Sequence, residues 1–301
     1  MKIIILGTGQ FALAIAHLLE HNDHTITFSG RDNKQLTDLH DNKTNRKYSC
    51  HILKKKHSVI NLNDVNLKNF DLVFYCLPSK NIDVLSNLDN SVPIVITSKG
   101  FKDSFIFERL NNYVILSGGS YSSEILNNIP CYITLASNHE DLNLKVKNIL
   151  GSKYCLTSIN TNPKSIELLG IFKNIIAMFC GIITQLDMGK NIEAAFISKV
   201  LNSLTKIVKF EKSTLIEPAG IGDLFLSCSS TKSRNYSFGI NLVINHSDNF
   251  GSLTEGYNSL INLRNKNIEL IDKLYNIIQK IKLNKLELVK NLLIELIQND
   301  I

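Results

Sequence analysis

The sequence predicts an α/β protein, with a doubly wound, mostly parallel sheet over residues 1–163 and a second, all-helical domain over residues 164–301. A short strand-like run at the start of the chain leads directly into a glycine turn and a helical pattern. Apolar strand-like runs then alternate with helical segments, which is typical of a sheet covered by helices. Near residue 163 this alternation stops, and the pattern is helical almost to residue 301.

The glycine turn predicts what the first domain binds. Lys2 to Leu6 is followed at once by GTGQFA and by helical periodicity. In a dinucleotide-binding fold, Gly7 permits the tight turn and Gly9 lets the backbone approach the pyrophosphate at the positive end of the helix. Ala12 takes the third position of the motif, where helix and strand pack closely. We therefore predict a Rossmann-type domain, and an ordinary strand–helix turn is the alternative.

The end of the second strand-like run is where such domains choose their cofactor. It reads Ser29-Gly30-Arg31-Asp32. At this place an acid accepts the ribose hydroxyl groups of NAD, whereas an arginine accommodates the additional phosphate of NADP. Arg31 and Asp32 together leave both cofactors open, with NADPH favoured because the guanidinium directly follows a glycine. A surface turn with an ion pair is the alternative.

Polar and small residues follow two later strands of the predicted sheet. Lys99 and Gly100 come after one apolar run, and Gly118 to Ser120 end another. Ligands on open α/β sheets bind at the carboxyl ends of the strands. These residues are therefore candidate ligand contacts, with a simple loop charge as the alternative for Lys99 alone.

The helical domain begins with a candidate catalytic lysine. Ile166 to Gln185 is too apolar for a surface helix and carries one cation, Lys173. Burial disfavours the charged form of an amine, which suits a lysine to exchange a proton near neutral pH. Small residues share its side of the helix: Gly170, Ala177, Gly181 and Thr184. We expect them to let a ligand approach the amine at the cleft between the domains. A structural lysine whose ammonium reaches out of a core helix is the alternative.

Composition argues against several classes of protein. The net charge of +6, from 33 basic and 27 acidic residues, comes without a long basic block, so no nucleic-acid partner is expected. The six cysteines form no C-x-x-C pair, which favours reduced thiols over disulfides or a metal site. The apolar helix falls short of the about 20 apolar residues of a membrane span. The first residues are too few for a signal peptide, and we expect a cytoplasmic protein.

A polar loop in the helical domain is a candidate phosphate cradle. Asp223 lies directly after Gly222, and residues 229–235 then offer hydroxyl, amide and cationic donors, among them Arg234. Donors with few negative charges among them suit a phosphate group. A polar loop that caps the next helix is the alternative.

Several motifs, in this order along the chain, carry a resemblance to a known family. They are GTGQFALA, ITSKGF, LSGGSYSSEI, LLGIFKN, MGKN, GIGDLFLSC, SRNYSFG and LTEG. From Ile3 to about Glu255 the chain resembles bacterial NAD(P)-dependent glycerol-3-phosphate dehydrogenase. The resemblance implies reversible hydride transfer between NAD(P)H and dihydroxyacetone phosphate to give sn-glycerol 3-phosphate, the precursor for glycerophospholipid synthesis.

The resemblance also implies roles for single residues. Lys173 would be the catalytic proton acceptor. Contacts with the small-molecule substrate are implied for Lys99, Gly118, Ser120, Lys173, Asp223, Ser233, Arg234 and Asn235. Contacts with the cofactor, NADP or NAD, are implied for Gly7, Gly9, Gln10, Phe11, Arg31, Lys99, Ser122, Arg234, Leu253 and Glu255. No metal is implied, and a homodimer is compatible with the amphipathic helices after Asn265.

The chain departs from the family pattern in places, and two other functions compete. Gly119 stands where a proline is usual, and Ser122 where an alanine is usual. A β-hydroxyacid dehydrogenase also pairs a Rossmann domain with a helical domain that bears a lysine. That family has a K-x-x-x-N pattern, whereas here Lys173 is followed at this spacing by Ala177. The other competitor is a non-catalytic NADP(H)-binding regulator, which would not need the whole set of charged residues.

Overall fold

A computed structural model describes residues 1–47, 51–87, 91–100, 105–106, 109–207, 210–248 and 254–299 of the protein. The chain forms two compact units. The sheet unit comprises Met1–Ser98, Ile106–Ile166 and Glu217–Ala219. The helical unit comprises Lys99–Phe105, Glu167–Ile216 and Gly220–Ile301. The predicted single boundary after residue 163 stays a prediction.

One sheet runs through the sheet unit. Its strands, within the described residues, are β1 (Lys2–Leu6), β2 (Thr25–Gly30), β3 (Ser58–Asn61), β4 (Leu72–Tyr75), β5 (Ile94–Ile96), β6 (Tyr113–Gly119), β7 (Cys131–Ala136) and β8 (Cys155–Asn160). Their order is β3-β2-β1-β4-β5-β6-β7-β8, and all neighbours are parallel except β6 and β7. The strand order reverses at β1, which is the doubly wound arrangement. The predicted fold class is confirmed.

The two strands that the sequence does not predict, β3 and β8, form the two edges of the sheet. No residue of β3 is fully buried, and in β8 only Cys155 is. The central strand β4 is buried at every position. Strands that are covered on both faces read as continuous apolar runs. Edge strands are less covered, so their apolar signal is too weak to separate them from loops.

Helices cover the sheet and make up the helical unit. Within the described residues they are α1 (Gln10–Leu19), α2 (Asn33–Asn42), α3 (Ser122–Leu126), α4 (Glu140–Leu150), α5 (Pro163–Gln185), α6 (Lys190–Ile207), α7 (Asp223–Cys228), α8 (Arg234–Asn245), α9 (Glu255–Leu263), α10 (Glu269–Lys282) and α11 (Leu286–Gln298). A single π-helical turn, Pro218–Gly222, leads into α7. The predicted helical character of the chain after residue 165 is confirmed.

Helix α5 supplies much of the core of the helical unit. Phe179 of this helix stacks on Phe196 of α6 with 5.3 Å between the ring centroids, and both side chains are fully buried. Each such burial contributes about 1.5–3 kcal/mol to folding. By length and composition the helix is apolar enough to cross a membrane, so the prediction that it falls short is wrong, but its most apolar window is entirely buried inside the protein. It therefore has the surroundings of a core helix.

Gly181, one of the small residues of α5, has a different purpose from the one predicted. A Cβ atom at Gly181 would overlap the backbone carbonyl oxygen of Tyr236 on α8. A Cβ atom at Gly239 of α8 would in turn overlap the backbone carbonyl oxygen of Met178 on α5. The two helices therefore touch backbone to backbone. The prediction that Gly181 makes room for a ligand is wrong, because another helix occupies that space.

Candidate active site

The glycine turn after β1 has the backbone conformation that only glycine adopts freely. Gly7 has φ of +131°, and a Cβ atom there would lie 2.9 Å from the carbonyl oxygen of Cys76. Its backbone N–H donates to the carbonyl oxygen of Ser29 at 2.8 Å, which joins the turn to β2. Both the conformation and the close approach require glycine. The predicted role of Gly7 in a tight turn agrees with this geometry.

Gly9 lies where a dinucleotide phosphate would need it. It is the N-cap residue of α1, and no side chain accepts the free N–H groups of that helix end. A Cβ atom at Gly9 would meet no protein atom within 4 Å. The fold itself therefore does not require glycine here, whereas a phosphate close to the helix N-terminus does. Gln10 and Phe11 follow as the first residues of α1, so this turn fits the pyrophosphate of NAD(P).

The two charged residues that follow β2, Arg31 and Asp32, have different surroundings. Asp32 is the N-cap of α2, and its carboxylate accepts hydrogen bonds from the backbone N–H groups of Lys34 and Gln35 at 3.0 and 3.3 Å. The Gln35 side-chain amide donates to its other oxygen at 2.9 Å. Arg31 is exposed. The acid is thus engaged in capping a helix, and the neighbouring guanidinium extends into solvent.

A second glycine position marks the end of β6. Gly118 has φ of +142°, and a Cβ atom there would lie 2.8 Å from Cα of Ile133 on β7. The hydroxyl group of Ser120 donates to the carbonyl oxygen of Gly118 at 3.1 Å. Ser122 is the first residue of α3. Together with Gly7, Gly9, Gln10, Phe11 and Arg31, these residues belong to the sheet unit.

In the helical unit, the structure brings three predicted charged residues together. The ammonium group of Lys173 on α5 donates to Oδ1 of Asp223 at 2.9 Å. The ammonium group of Lys99 donates to Oδ2 of the same carboxylate at 2.6 Å. The side chains of Lys173 and Asp223 are 9% and 6% exposed. Two cations thus share one buried anion, and the ion pairing offsets the cost of removing these charges from water.

The electrostatics of this cluster follow from burial and charge. Burial by itself raises the pKa of Asp223, but Lys173 and Lys99 outweigh it and hold that pKa below its ordinary value. Burial lowers the pKa of Lys99, and Asp223 opposes this effect. Asp223 therefore stays ionised at neutral pH. A fixed anion between two amines is a means of controlling where a proton resides.

The sequence alone predicts no role for Ser227 or Asn174. The Lys173 ammonium group also donates to the hydroxyl oxygen of Ser227 at 2.9 Å. Ser227 lies one helical turn after Asp223, and that spacing is the signal that could have found it. Asn174 follows Lys173 directly, and its side-chain oxygen accepts a hydrogen bond from the Asn235 amide at 2.9 Å. Both residues hold predicted site residues in position.

The predicted phosphate loop is only partly free to bind a ligand. The hydroxyl group of Ser233 is the N-cap of α8 and accepts from the backbone N–H of Tyr236 at 3.4 Å. The side-chain oxygen of Asn235 accepts from the backbone N–H of Gly256 at 2.9 Å. Arg234, the first residue of α8, is exposed. Among Ser233, Arg234 and Asn235, the guanidinium group of Arg234 is therefore the accessible donor.

The start of α9 contributes a carboxylate to this region. Burial raises the pKa of Glu255, while Arg234, Lys173 and Lys99 oppose this effect. Asn174 donates weakly to Glu255 at 3.5 Å. Leu253, the other predicted cofactor contact here, lies outside the described residues. In the part of the chain that the structure describes, no group of three or more His, Cys, Asp or Glu side chains is arranged to hold a metal ion.

A glycine turn fitted to a dinucleotide and a buried lysine–aspartate–lysine cluster define the class of nicotinamide-dependent dehydrogenases. Residues 2–143 match the family model for the N-terminus of NAD-dependent glycerol-3-phosphate dehydrogenase, and residues 162–293 match the model for its C-terminus. The chain belongs to the family of NAD-dependent glycerol-3-phosphate dehydrogenases. The resemblance noted from the motifs is confirmed.

Named relatives agree with this assignment. The chain is 31% identical to a glycerol-3-phosphate dehydrogenase [NAD(P)+] of Neorickettsia sennetsu, over 93% of this chain and 90% of that protein. It is 29% identical to one from Ehrlichia ruminantium, over 95% and 98% of the two chains. Its fold is similar to the crystal structure of glycerol-3-phosphate dehydrogenase from Coxiella burnetii, with a TM-score of 0.85, 22% identity and 99% coverage of both chains.

We expect Ser227→Ala to lower kcat by about tenfold or more, because a hydrogen bond to a charged group contributes about 1.5–3 kcal/mol. Steady-state kinetics of the purified variant measures this effect. Ser227→Thr keeps the hydroxyl group and should restore most of kcat. Ser213→Ala removes an exposed hydroxyl group of the same unit, away from the predicted phosphate loop, and serves as the matched control. Equal rates for Ser227→Ala and the control would contradict a role in positioning Lys173.

Proposed function

We propose that this protein catalyses reversible hydride transfer between NAD(P)H and dihydroxyacetone phosphate, giving sn-glycerol 3-phosphate. The observation that carries the proposal is the buried Lys99–Asp223–Lys173 cluster in a chain of this family. The relatives named above carry this activity in their names. A β-hydroxyacid dehydrogenase and a non-catalytic regulator are disfavoured, because the family models match both parts of the chain.

Lys173 exchanges the proton in this proposal. It takes the proton of the C2 hydroxyl group when glycerol 3-phosphate is oxidised, and it returns a proton to the C2 carbonyl oxygen in the reverse direction. The nicotinamide accepts or supplies the hydride. Asp223 and Ser227 hold the Lys173 amine in one orientation at 2.9 Å each. Lys99 shares the carboxylate, so the charge of Asp223 is balanced when Lys173 has given up its proton.

The remaining predicted residues bind and orient the reactants. Arg234 grips the substrate phosphate, which supplies binding energy away from the reacting carbon. Ser233 and Asn235 shape the loop around it through their cap and backbone bonds. Further substrate contacts are assigned to Gly118 and Ser120. Cofactor contacts are assigned to Gly7, Gly9, Gln10, Phe11, Arg31, Lys99, Ser122, Arg234, Leu253 and Glu255.

One assay distinguishes the three candidate functions. Purified protein is mixed with NADPH and dihydroxyacetone phosphate, and absorbance at the nicotinamide band is followed. We expect the absorbance to fall only when both reactants are present. A parallel reaction with a β-keto acid tests the nearer competitor. Oxidation of NADPH by the keto acid alone would support that competitor, and binding of NADPH without turnover of either substrate would support the regulator.

Substitution of Arg234 tests the phosphate contact. We expect Arg234→Ala to raise KM for dihydroxyacetone phosphate by about 10- to 100-fold, because a guanidinium–phosphate contact contributes about 1.5–3 kcal/mol. The matched control is Arg264→Ala, which removes an arginine that lies in the turn just before α10 and stacks on Tyr275. Inhibition by inorganic phosphate should weaken in parallel. An unchanged KM would count against this role.

NADPH is the cofactor that the residues after β2 favour. The Asp32 carboxylate already accepts three hydrogen bonds, at 3.0, 3.3 and 2.9 Å, whereas Arg31 is exposed. The acid is thus less available to the ribose hydroxyl groups of NADH than the arginine is to the extra phosphate of NADPH. This preference within NAD(P) is part of the proposal.

We expect Arg31→Ala to raise KM for NADPH by about 10- to 100-fold and to leave KM for NADH nearly unchanged. Steady-state kinetics with each cofactor, at saturating dihydroxyacetone phosphate, measures the ratio. Arg46→Ala removes another exposed arginine of the sheet unit, one that pairs with Asp38 at 3.5 Å, and is the control. A parallel rise for both cofactors would argue against recognition of the 2′-phosphate.

Three wider aspects complete the proposal. The product would serve as a precursor for glycerophospholipids. The location would be cytoplasmic, and the active form would be a homodimer. Fractionation of cells tests the location, and light scattering of the purified protein tests the oligomeric state.

A further inference from the structure

Two cysteines of the sheet unit lie side by side at the start of neighbouring strands. Cys131 is the first residue of β7, Cys155 is the first residue of β8, and the two are register partners in this parallel pair. Neighbouring strands lie about 4.8 Å apart. That spacing falls inside the Cα–Cα range of about 4.4–6.8 Å that disulfides span. The backbone therefore permits a covalent link between them without a change of register.

The side chains also face each other. Both cysteines are buried in the core of the sheet unit, whereas the residues that follow them, Tyr132 and Leu156, are 52% and 55% exposed. Alternate residues of a strand point to opposite faces, so the two thiols share one face. Both thiols are free. The thiol of Cys131 also donates to the carbonyl oxygen of Tyr154 at 3.5 Å.

The two thiols are not equivalent. The neighbouring Cys155 thiol stabilises the thiolate of Cys131 and lowers its pKa. The neighbouring Cys131 and burial raise the pKa of Cys155. The thiolate is the nucleophilic form of cysteine. Cys131 is also the more exposed of the two, at 7% against 2%. It is therefore the thiol that would attack, and Cys155 is the proton-bearing partner beside it.

We propose that Cys131 and Cys155 form a redox-active dithiol that a hydroperoxide converts reversibly into a disulfide. Sγ of Cys131 attacks one peroxide oxygen, the O–O bond breaks, and a sulfenic acid forms as hydroxide or alkoxide leaves. Sγ of Cys155 then attacks the sulfenic sulfur. The S–S bond forms, the S–O bond breaks, and the thiol proton leaves with the hydroxide as water. The peroxide is reduced, and a dithiol reductant reverses the link by exchange.

The position of the pair gives a small oxidant access. β8 is an edge strand, and both cysteines are the first residues of their strands, where local opening costs least. Pro130, directly before Cys131, and Lys153, two residues before Cys155, are exposed. A peroxide therefore needs only local opening at the edge of the sheet, and the fold as a whole can stay closed.

The helical unit offers a matched pair that should not react. Cys180 on α5 and Cys228 on α7 are also both buried and both free. The neighbouring Cys228 thiol and burial raise the pKa of Cys180, which is fully buried in a core helix. A protonated thiol without access is inert towards peroxide. Cys180, at 0% exposed against 7% for Cys131, thus differs from Cys131 both in access and in the direction of its pKa shift.

Peptide mapping of the full-length chain tests the proposal. The reduced protein is treated with limiting hydrogen peroxide, alkylated under denaturing conditions, digested and analysed by mass spectrometry. We expect one linked peptide pair, joined through Cys131 and Cys155, that is lost after treatment with dithiothreitol. Cys180 and Cys228 should be fully alkylated. A link through Cys180, Cys228 or Cys50, or no link at all, overturns the proposal.

Two variants separate the two steps. In Cys155→Ser the sulfenic acid on Cys131 has no resolving thiol, so we expect dimedone to label Cys131 after peroxide treatment. In Cys131→Ser we expect no dimedone label on Cys155 at the same dose. Labelling of Cys155 instead of Cys131 would reverse the assigned roles and overturn the mechanism. The unfolding midpoint of each variant checks that it is folded, and the wild-type peptide map decides the proposal independently of both.

Discussion

Lys173→Met should abolish most turnover while NADPH binding stays nearly intact. A positioned general acid or base contributes about 10²- to 10⁴-fold to the rate, so we expect kcat to fall by that factor. Methionine keeps much of the apolar stem that α5 buries, and the change is therefore directed at the amine. Steady-state kinetics gives kcat, and fluorescence titration with NADPH gives the dissociation constant of the cofactor.

A surface lysine of the same unit provides the control for this experiment. Lys273 on α10 is 39% exposed and pairs with Glu269 four residues earlier. Lys273→Met removes one ammonium group from the helical unit without touching the cluster, and its kcat should match that of the wild-type protein. If Lys173→Met also turned over at that rate, Lys173 would be a structural lysine and the proton would need another acceptor.

Among the substitutions predicted here, Asp223→Asn should cause the largest decrease in the free energy of unfolding. The change leaves Lys99 and Lys173 beside each other in the protein interior without an anion. Removing one partner of a buried ion pair costs about 3–5 kcal/mol, because the remaining charge stays buried without compensation. Denaturant unfolding monitored by circular dichroism measures the free energy of unfolding. Activity should fall as well, since Asp223 orients the Lys173 amine.

The pH dependence of this variant has a definite sign. Burial already lowers the pKa of Lys99 in the wild-type protein, and loss of Asp223 removes the group that opposes this effect. Below the ordinary pKa of lysine, about 10.4, the unfolded variant then binds more protons than the folded one. Its stability should therefore rise as the pH increases towards that value, because a proton is lost more easily from the folded state.

Asp272→Asn is the matched control for the carboxylate. Asp272 lies on α10, its side chain is 57% exposed, and it pairs with Arg264 at 3.8 Å. An exposed pair of this kind contributes about 0–1 kcal/mol. The free energy of unfolding should change little at any of these pH values. If Asp223→Asn behaved in the same way, the shared carboxylate would not hold the two lysines in place.

Most of the fold could be predicted because its signals are local. β1, Gly7 and α1 follow one another within a few residues, and each is specified by its own side chains or by the lack of one. The central strands are apolar throughout because helices cover both faces. The edge strands β3 and β8 are partly solvated, so they lack this signal.

The sequence predicts which residues belong to the site, but it does not predict which of their side chains contact each other. Lys173 and Asp223 are 50 residues apart in the chain, and no local pattern shows that their side chains meet. The same holds for Asn235 and Gly256, which lie 21 residues apart. Serine is common on protein surfaces, so only the position of Ser227 one helical turn after Asp223 indicates its contact with Lys173.

The backbone contact between α5 and α8 has a consequence for substrate size. Gly181 and Gly239 let each helix rest on a carbonyl oxygen of the other, so that at these two points backbone meets backbone. The helix that carries Lys173 and the helix that begins at Arg234 are thus held at one spacing. In the proposed mechanism Lys173 exchanges the proton and Arg234 binds the phosphate. The fixed crossing of the two helices would then favour a short phosphate ester over one with a longer carbon chain, although the crossing itself touches no reacting atom.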